Sequence, residues 1–501
     1  MSRLQEQTSP TDRPGFYRYI EARFIALTAV TAILAACGSG EPWAGSAGEV
    51  RIQQAPIAAT TGQPLAIDVD EDGKELILID ASDSFDPDGS VVSYNWSEGL
   101  TELGREPTLE LELDVGDHVF MLTVTDDDGL IDLLPVVARV VAPFEGEPNS
   151  PAIEVWTSTR LVLDGGPAQR WVSVPGNTSD PDGVAAVRFQ LNDGPIRGAP
   201  LGPDDRRLVR AGDFTVEIAR SELSVGTNVL LIESVDNNGL VSTAAVQIET
   251  EDQPAAVLPA RVEWAEAEEV GGTAVEPVDG RWDFTDRATV PLGDAGYNRL
   301  LAVGSVEWAD YEVQTTIRLS EIRQQTDMSP LSGSPAFGLA LRWQGHSEPA
   351  TPTGLGITAD RAVEDFPSAG ATFLARWQPG LERFIPELQN HRGLAVDFES
   401  ANQLDGSRDY AVRMQVQTVI GGSYYRAKIW PQGDPEPTGW SVELATGQED
   451  LQPESGSIAL IAHELSASFG DVVIGPIPVG DRVESSVTDL EAQNDGTPTG
   501  A

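Results

Sequence analysis

Apolar residues recur with period two along most of this chain, in runs too short for helices. Val92, Tyr94 and Trp96 alternate with Ser93 and Asn95; Phe120, Leu122 and Val124 alternate again; so do Val187, Phe189 and Leu191. Alternation of this kind predicts strands with one buried face. Leu76-Ile77-Leu78-Ile79 and Val136-Val137-Ala138-Arg139-Val140-Val141 are nearly continuous apolar runs and predict buried strands. Farther on, Trp308–Ile317, Gly338–Trp343, Thr372–Trp377, Tyr410–Val416 and Tyr425–Trp430 read as strands separated by Gly-, Pro- and Asp-rich turns. No long stretch has helical periodicity. The chain is therefore expected to be all-β, built from sandwiches.

Breaks in the pattern divide it. Glu145-Gly146-Glu147-Pro148-Asn149-Ser150-Pro151 is a cluster of turn formers, and Glu251-Asp252-Gln253-Pro254 opens a second linker. They separate a first module at 50–143, a second at 152–250 and a third domain at 258–479. The third is about twice the length of a single seven-stranded sandwich. Residues 480–501 are polar and acidic without periodicity and predict a disordered tail.

One motif occurs twice. Asp83-Ser84-Phe85-Asp86-Pro87-Asp88-Gly89 is followed by Thr125-Asp126-Asp127-Asp128-Gly129. Thr178-Ser179-Asp180-Pro181-Asp182-Gly183 is followed by Val235-Asp236-Asn237-Asn238-Gly239. Together with Ser93-Tyr94-Asn95-Trp96 and His118–Thr125, the first set resembles a polycystic kidney disease (PKD) domain. It departs where Ser97-Glu98-Gly99 stands in place of the family's Asp-Phe-Gly-Asp-Gly turn. The second module keeps both turns but has a different middle, and is expected to be another immunoglobulin-like sandwich. The order of strands in the third domain is similar to the concanavalin A-like (laminin G-like) superfamily, above all Tyr425–Trp440, then Gly456–Leu460 and Phe469–Val473. That resemblance implies a jelly-roll sandwich.

Composition narrows the setting. The 501 residues carry 79 acidic and 32 basic side chains, a formal net charge of −47, which excludes nucleic acid as a partner. Lys74 and Lys428 are the only lysines. A single cysteine, Cys37, leaves no internal disulfide and no cysteine-based zinc site. Arg13, Arg18 and Arg23 precede an apolar run, Phe24 to Ala36, too short to span a bilayer comfortably. The run ends Leu34-Ala35-Ala36-Cys37-Gly38 and resembles a bacterial lipoprotein signal. The resemblance implies removal of 1–36, lipid on Cys37, a flexible linker at 37–49 and an extracytoplasmic location at the outer membrane or cell surface.

Three chemistries remain. Calcium takes six to eight oxygen ligands, and Asp-rich turns meeting at one end of a sandwich would supply them. Asp86, Asp88, Asp126, Asp127 and Asp128 are the candidates in the first module, and Asp180, Asp182, Asp236 and Asn237 in the second. Asp-Pro-Asp-Gly is equally a good turn without any metal. Glycans stack on exposed aromatic rings, and Trp343, Trp377, Tyr424, Trp430 and Trp440 are the candidates, Trp440 foremost. Glycoside hydrolysis needs two facing carboxylates; Glu263, Glu266, Glu364 and Asp365 show no such pairing, and His118, His346, His391 and His463 are scattered. The sequence thus predicts a lipid-anchored surface protein presenting a jelly roll to a glycan or surface ligand. A polysaccharide-degrading lipoprotein and a structural envelope protein are the alternatives.

Overall fold

A computed structural model describes residues 53–494, apart from 62–63, 147, 164–165, 205–206, 251–256, 267–274, 294–295, 323–333, 347–368, 379, 391–394, 398–403, 406 and 448–451. Cys37, the apolar run before it and the linker after it lie outside the described residues, as do Glu364, Asp365 and His391. The described residues are almost entirely β.

The first module contains β1 (Leu65–Ile67), β2 (Lys74–Asp80), β3 (Val91–Glu98), β4 (Thr101–Gly104), β5 (Thr108–Asp114), β6 (Gly116–Asp126) and β7 (Ile131–Val141). A five-stranded sheet, β1-β7-β6-β3-β4, packs on the pair β2-β5. Trp96, Phe120, Leu122 and Val124 fill the space between them at 0–1% exposure, as their alternation predicts. The Leu76–Ile79 run is a different matter. Ile77 and Ile79 are buried, whereas Leu76 and Leu78 are 59% and 62% exposed, opposite Glu112 and Glu110. A strand in a two-stranded sheet has one covered face, so four consecutive apolar residues still place two of them outside.

The second module runs β9 (Ala152–Val155), β10 (Arg160–Leu163), β11 (Trp171–Ser179), β12 (Val184–Leu191), β13 (Arg197–Ala199), β14 (Asp213–Ala219), β15 (Gly226–Asp236) and β16 (Val241–Thr250). Its wiring repeats that of the first. β10 lies parallel to β16 as β1 does to β7, and the β15–β16 hairpin pairs with β12 as β6–β7 does with β3. The connection between modules is itself a strand, β8 (Phe144–Gly146), which pairs with β16. Beside it Ile67 and Val141 of the first module bury against Val229 and Ala245 of the second.

The third domain is a large two-sheet sandwich. Its strands are β17 (Ala260–Val262), β18 (Val275–Asp279), β19 (Arg281–Thr285), β20 (Ala288–Leu292), β21 (Arg299–Val303), β22 (Tyr311–Ile322), β23 (Ala336–Trp343), β24 (Ala371–Gln378), β25 (Arg383–Asn390), β26 (Ala395–Asp397), β27 (Tyr410–Val419), β28 (Gly422–Pro431), β29 (Val442–Gly447), β30 (Ser457–His463), β31 (Leu465–Phe469) and β32 (Val472–Gly475). One sheet runs β19-β20-β31-β22-β27-β28-β29 with β32 and β17 attached; the other runs β18-β21-β30-β23-β24-β25-β26. Between them lies the largest core, including Tyr311, Phe337, Phe373, Phe384, Met414, Tyr425 and Phe469, each fully buried.

The segment after the sandwich departs from expectation. Instead of a structureless tail, a 3-10 turn at Val479–Asp481 leads to the helix α1 (Val487–Asn494). Ser486 caps α1, its hydroxyl bonded to Asp489 at 2.7 Å. Val487 and Leu490 are buried, at 7% and 4% exposure. Two apolar anchors in an otherwise polar segment are too few to show as a period.

Candidate functional site

The repeated acidic turns come together in each module. In each module the second turn closes the long hairpin. Asp126 Oδ1 accepts from the amides of Asp128 (3.0 Å) and Leu130 (2.8 Å). Asp236 Oδ1 accepts from Asn238 (2.9 Å) and Leu240 (2.7 Å). Gly129 and Gly239 take φ of 82° and 86°, the left-handed backbone each turn requires. Asp126 and Asp236 are 1% and 2% exposed, and the Oδ2 of each is buried without a hydrogen-bond partner. That is a costly state for a carboxylate.

The two modules join their turns differently. In the second, neutral amides do it: Asn237 Nδ2 donates to Asp182 O (2.8 Å) and Asn238 Nδ2 to Asp182 Oδ2 (3.0 Å), while Asp180 holds its own turn through the Asp182 amide (2.7 Å). In the first, Asp127 and Asp128 occupy the corresponding positions. Asp127 Oδ1 accepts from the Ser90 amide at 2.6 Å, and Asp88 is engaged by the Gln54 amide at 3.2 Å. Local desolvation, together with the charges of Asp88 and Asp126, lifts the Asp86 carboxyl above its ordinary range. Asp86, Asp88, Asp126 and Asp127 form an electrostatically crowded end of the sandwich, but among the described residues they do not make a tight cluster of three ligand oxygens.

A tight cluster does occur elsewhere. Asp68, Asp70 and Asp72 bring their carboxylate oxygens within 4.8 Å of one another, near enough to share one divalent ion. They lie in the β1–β2 loop at the junction of the first two modules. Buried Asp68 accepts from the amides of Asp72 (3.1 Å) and Gly73 (2.9 Å). The loop's signal in the sequence is the spacing by two of the carboxylates in Asp68-Val69-Asp70-Glu71-Asp72-Gly73.

The aromatic candidates of the third domain are mostly interior. Trp343 is fully buried on the outer side of the seven-stranded sheet, where Ala168 of the second module joins Val278, Leu300, Ala340, Trp343 and Ile461 in a second core. It contacts His346 edge-on, and Trp171 of the second module donates to the His346 carbonyl at 2.7 Å. Trp343 is thus part of a joint, not a sugar platform. Trp377 packs on Phe384 at the edge of the main core, ring centroids 5.0 Å apart. Tyr424 is 5% exposed and donates to Glu443 at 2.6 Å; burial and Glu443 raise its phenol pKa. Trp430 is 7% exposed. Trp377 and Trp440 are the two of these five that are only partly buried. Arg426 and Lys428 each lie 4.8 Å from the Trp440 ring centroid and fix that ring in place. Glu263 pairs with Arg261, in keeping with a surface charge.

The joint between the second module and the third domain is ionic and largely buried. Arg207 meets Glu217 and Asp279, both at 2.5 Å, with the two carboxylate side chains 0% and 2% exposed. His346 Nε2 lies 2.8 Å from the other Asp279 oxygen. Burial alone would raise the Asp279 carboxyl, but the charges of Arg207 and His346 overcome it and hold the group well below the usual range. Arg220 pairs with Glu276, Ala168 donates to Glu276 at 2.8 Å, and Ser457 donates to the Ala168 carbonyl. Period-two patterning carries no information about this face, because a sheet covered on both sides shows no polar alternation.

No family model matches the chain. It is 29% identical over 233 residues to the dyslexia-associated protein KIAA0319 homolog of Rattus norvegicus, an alignment taking in 42% of this chain and 20% of that protein. The chain therefore spans about a fifth of that relative's length. Among solved structures, the PKD1 domain of Vibrio anguillarum Epp is 28% identical, covering 18% of this chain and 100% of that one, with a TM-score of 0.15. A carbohydrate binding module, CBM66 from Bacillus subtilis, is 12% identical, covering 40% of this chain and 95% of that one, with a TM-score of 0.24.

Proposed function

We propose that this is an extracytoplasmic, lipid-anchored binding protein of the adhesive class, in which three sandwiches joined by buried contacts present a ligand-contacting surface. The observation that supports it best is the closed joint. The second module covers the outer side of the seven-stranded sheet, so the third domain is fixed to its carrier. Ligand contact then falls to rims and loops, of which the Trp440 loop is the best equipped. Its ring is only partly buried and is held by Arg426 and Lys428. A glycan is the ligand class that suits a preset aromatic ring.

Calcium belongs to the proposal as a stiffener of the acidic turns. The partnerless Oδ2 atoms of Asp126 and Asp236, and the mutual repulsion around Asp86, are what a divalent ion relieves.

Two assays test the reading. Labelling with a fatty-acid analogue is expected to mark the wild-type chain and not Cys37→Ser; equal labelling of both removes the anchor from the proposal. A glycan array is expected to give binding by the full chain that Trp440→Ala reduces at least tenfold. Binding that survives Trp440→Ala unchanged places the ligand elsewhere, and no binding with or without calcium removes the glycan.

A further inference from the structure

The outer face of β27 and β28 is polar in sequence, yet it is covered. Arg413, Gln415 and Gln417 of β27 stand opposite Lys428, Arg426 and Tyr424 of β28. They point away from the core formed by Val412, Met414, Val416, Tyr425 and Ala427. Even so, Gln415, Arg426 and Lys428 are only 1%, 7% and 6% exposed. Part of the cover is the Trp440 loop, where Lys428 Nζ bonds to the Pro437 carbonyl at 2.9 Å. The rest is the C-terminal segment.

That segment is held in a particular way. It runs alongside β27 in the same direction, with Asp481 at Gln415, Val483 at Gln417 and Ser486 at Ile420. Arg426 donates to the Asp481 carbonyl at 2.5 Å, and Gln415 to the Asp481 carboxylate at 3.3 Å. The Gln417 amide grips Val483 twice, donating to its carbonyl (2.6 Å) and accepting from its N–H (2.9 Å). Ser486 forms a parallel bridge with Ile420, and the Val487 amide donates to the Ile420 carbonyl at 2.9 Å. Val487 and Leu490, one turn apart, then bury their side chains. Main-chain contacts from side-chain amides plus two apolar anchors are how a groove recognises an extended peptide. The charges match as well. The segment carries Asp481, Glu484 and Asp489; Arg426 is the cation of this face that meets it, while Arg413 and Lys428 pair with Glu436 of the Trp440 loop.

The hinge is short and open. Ile477 is anchored at 3% exposure, whereas Val479, two residues on, is 88% exposed. Past Pro478 the segment is fastened, among the described residues, by the contacts just given and by the packing of α1 on β28 and β29. An identical segment from another copy would make the same contacts, so exchange loses little beyond the entropy of association.

We propose that this face is a docking groove for the C-terminal segment, occupied in cis here and able to take the same segment from a second copy. At the local concentration of an anchored protein, copies would link tail to groove. The linking of copies at a membrane rests on the proposed anchor; the groove itself depends on neither a glycan nor Trp440.

The test uses the full chain with Cys37→Ser, which has no other cysteine. Ile420 and Ser486 pair across a parallel bridge, a separation that suits a disulfide. First, one chain carrying both Ile420→Cys and Ser486→Cys should close an internal disulfide, which checks fold and register. Then a chain with Ile420→Cys and a differently tagged chain with Ser486→Cys are mixed at high micromolar concentration under mild oxidation. The expected result is a disulfide between the two tags, reduced at least fivefold when the Ser486→Cys chain also carries Leu490→Asp. An internal disulfide in the double variant with no cross-tag product overturns exchange. Failure of the double variant to close overturns the groove itself.

Discussion

Replacing Arg207 with Met tests the joint between the second module and the third domain. Met keeps the apolar part of the side chain and removes the guanidinium that Glu217 and Asp279 share at 2.5 Å. Both acids are buried, and taking one partner from a buried ion pair costs about 3–5 kcal/mol. Asp279 keeps His346 at 2.8 Å, which places the expected loss near the lower end, about 3 kcal/mol. That is a large share of a typical stability of about 5–15 kcal/mol. Urea unfolding at neutral pH, followed by tryptophan fluorescence, measures it. The triple variant Arg207→Met, Glu217→Gln, Asp279→Asn is expected to recover much of the loss, because neutralising a whole buried ion set is far milder than orphaning half of it. A loss below about 1 kcal/mol for Arg207→Met, the range of an exposed ion pair, would refute the reasoning. So would a triple variant no more stable than the single one.

Three further outcomes follow from the same contacts. Asn238→Asp replaces the donor to Asp182 Oδ2 (3.0 Å) with a like charge, and is expected to cost about 1 kcal/mol in chelator; added calcium should return more stability to this variant than to the wild type, as a calcium-dependent melting curve would show. The folded-state pKa of Asp279 is depressed, so its stabilisation is fully present above the unfolded carboxylate value of about 3.9 and is lost as pH falls below it. Acid titration of stability should therefore fall less steeply below about pH 4 for Asp279→Asn than for the wild type. Calcium should raise the melting temperature of the wild-type chain, and Asp126→Asn together with Asp236→Asn should weaken that response; a melting curve indifferent to both calcium and chelator removes the ion from the account.

The fold was legible along most strands with one wet face, though Leu76, Leu78 and Val92 lie exposed where their patterns predict burial. Trp96, Phe120, Phe189 and Leu191 are buried because alternation announces it. The acidic turns themselves stand in the sequence, but that they meet depends on the pairing of β3 with β6 and of β12 with β15. Burial from outside was not legible. Trp343, Tyr424 and Arg426 lie on faces that the chain's own later or earlier segments cover, and a strand's local pattern does not encode what arrives from another module. The same applies to residues 479–494. Ser486-Val487-Thr488-Asp489 is a capping signal, but Val487 and Leu490 gain meaning only once β28 and β29 are in place. The Asp68–Asp72 loop was readable in principle and was overshadowed by the repeated motif.

The central claim is that the second module and the third domain move as one body. Electron–electron distance measurement tests it directly, with spin labels on Val225→Cys and Leu381→Cys in the Cys37→Ser chain. Both sites are exposed, at 79% and 51%, one on each side of the joint. The account predicts a single narrow distance distribution, unchanged by salt and broadened by Arg207→Met. A broad or multi-peaked distribution in the chain with Arg207 intact would contradict it.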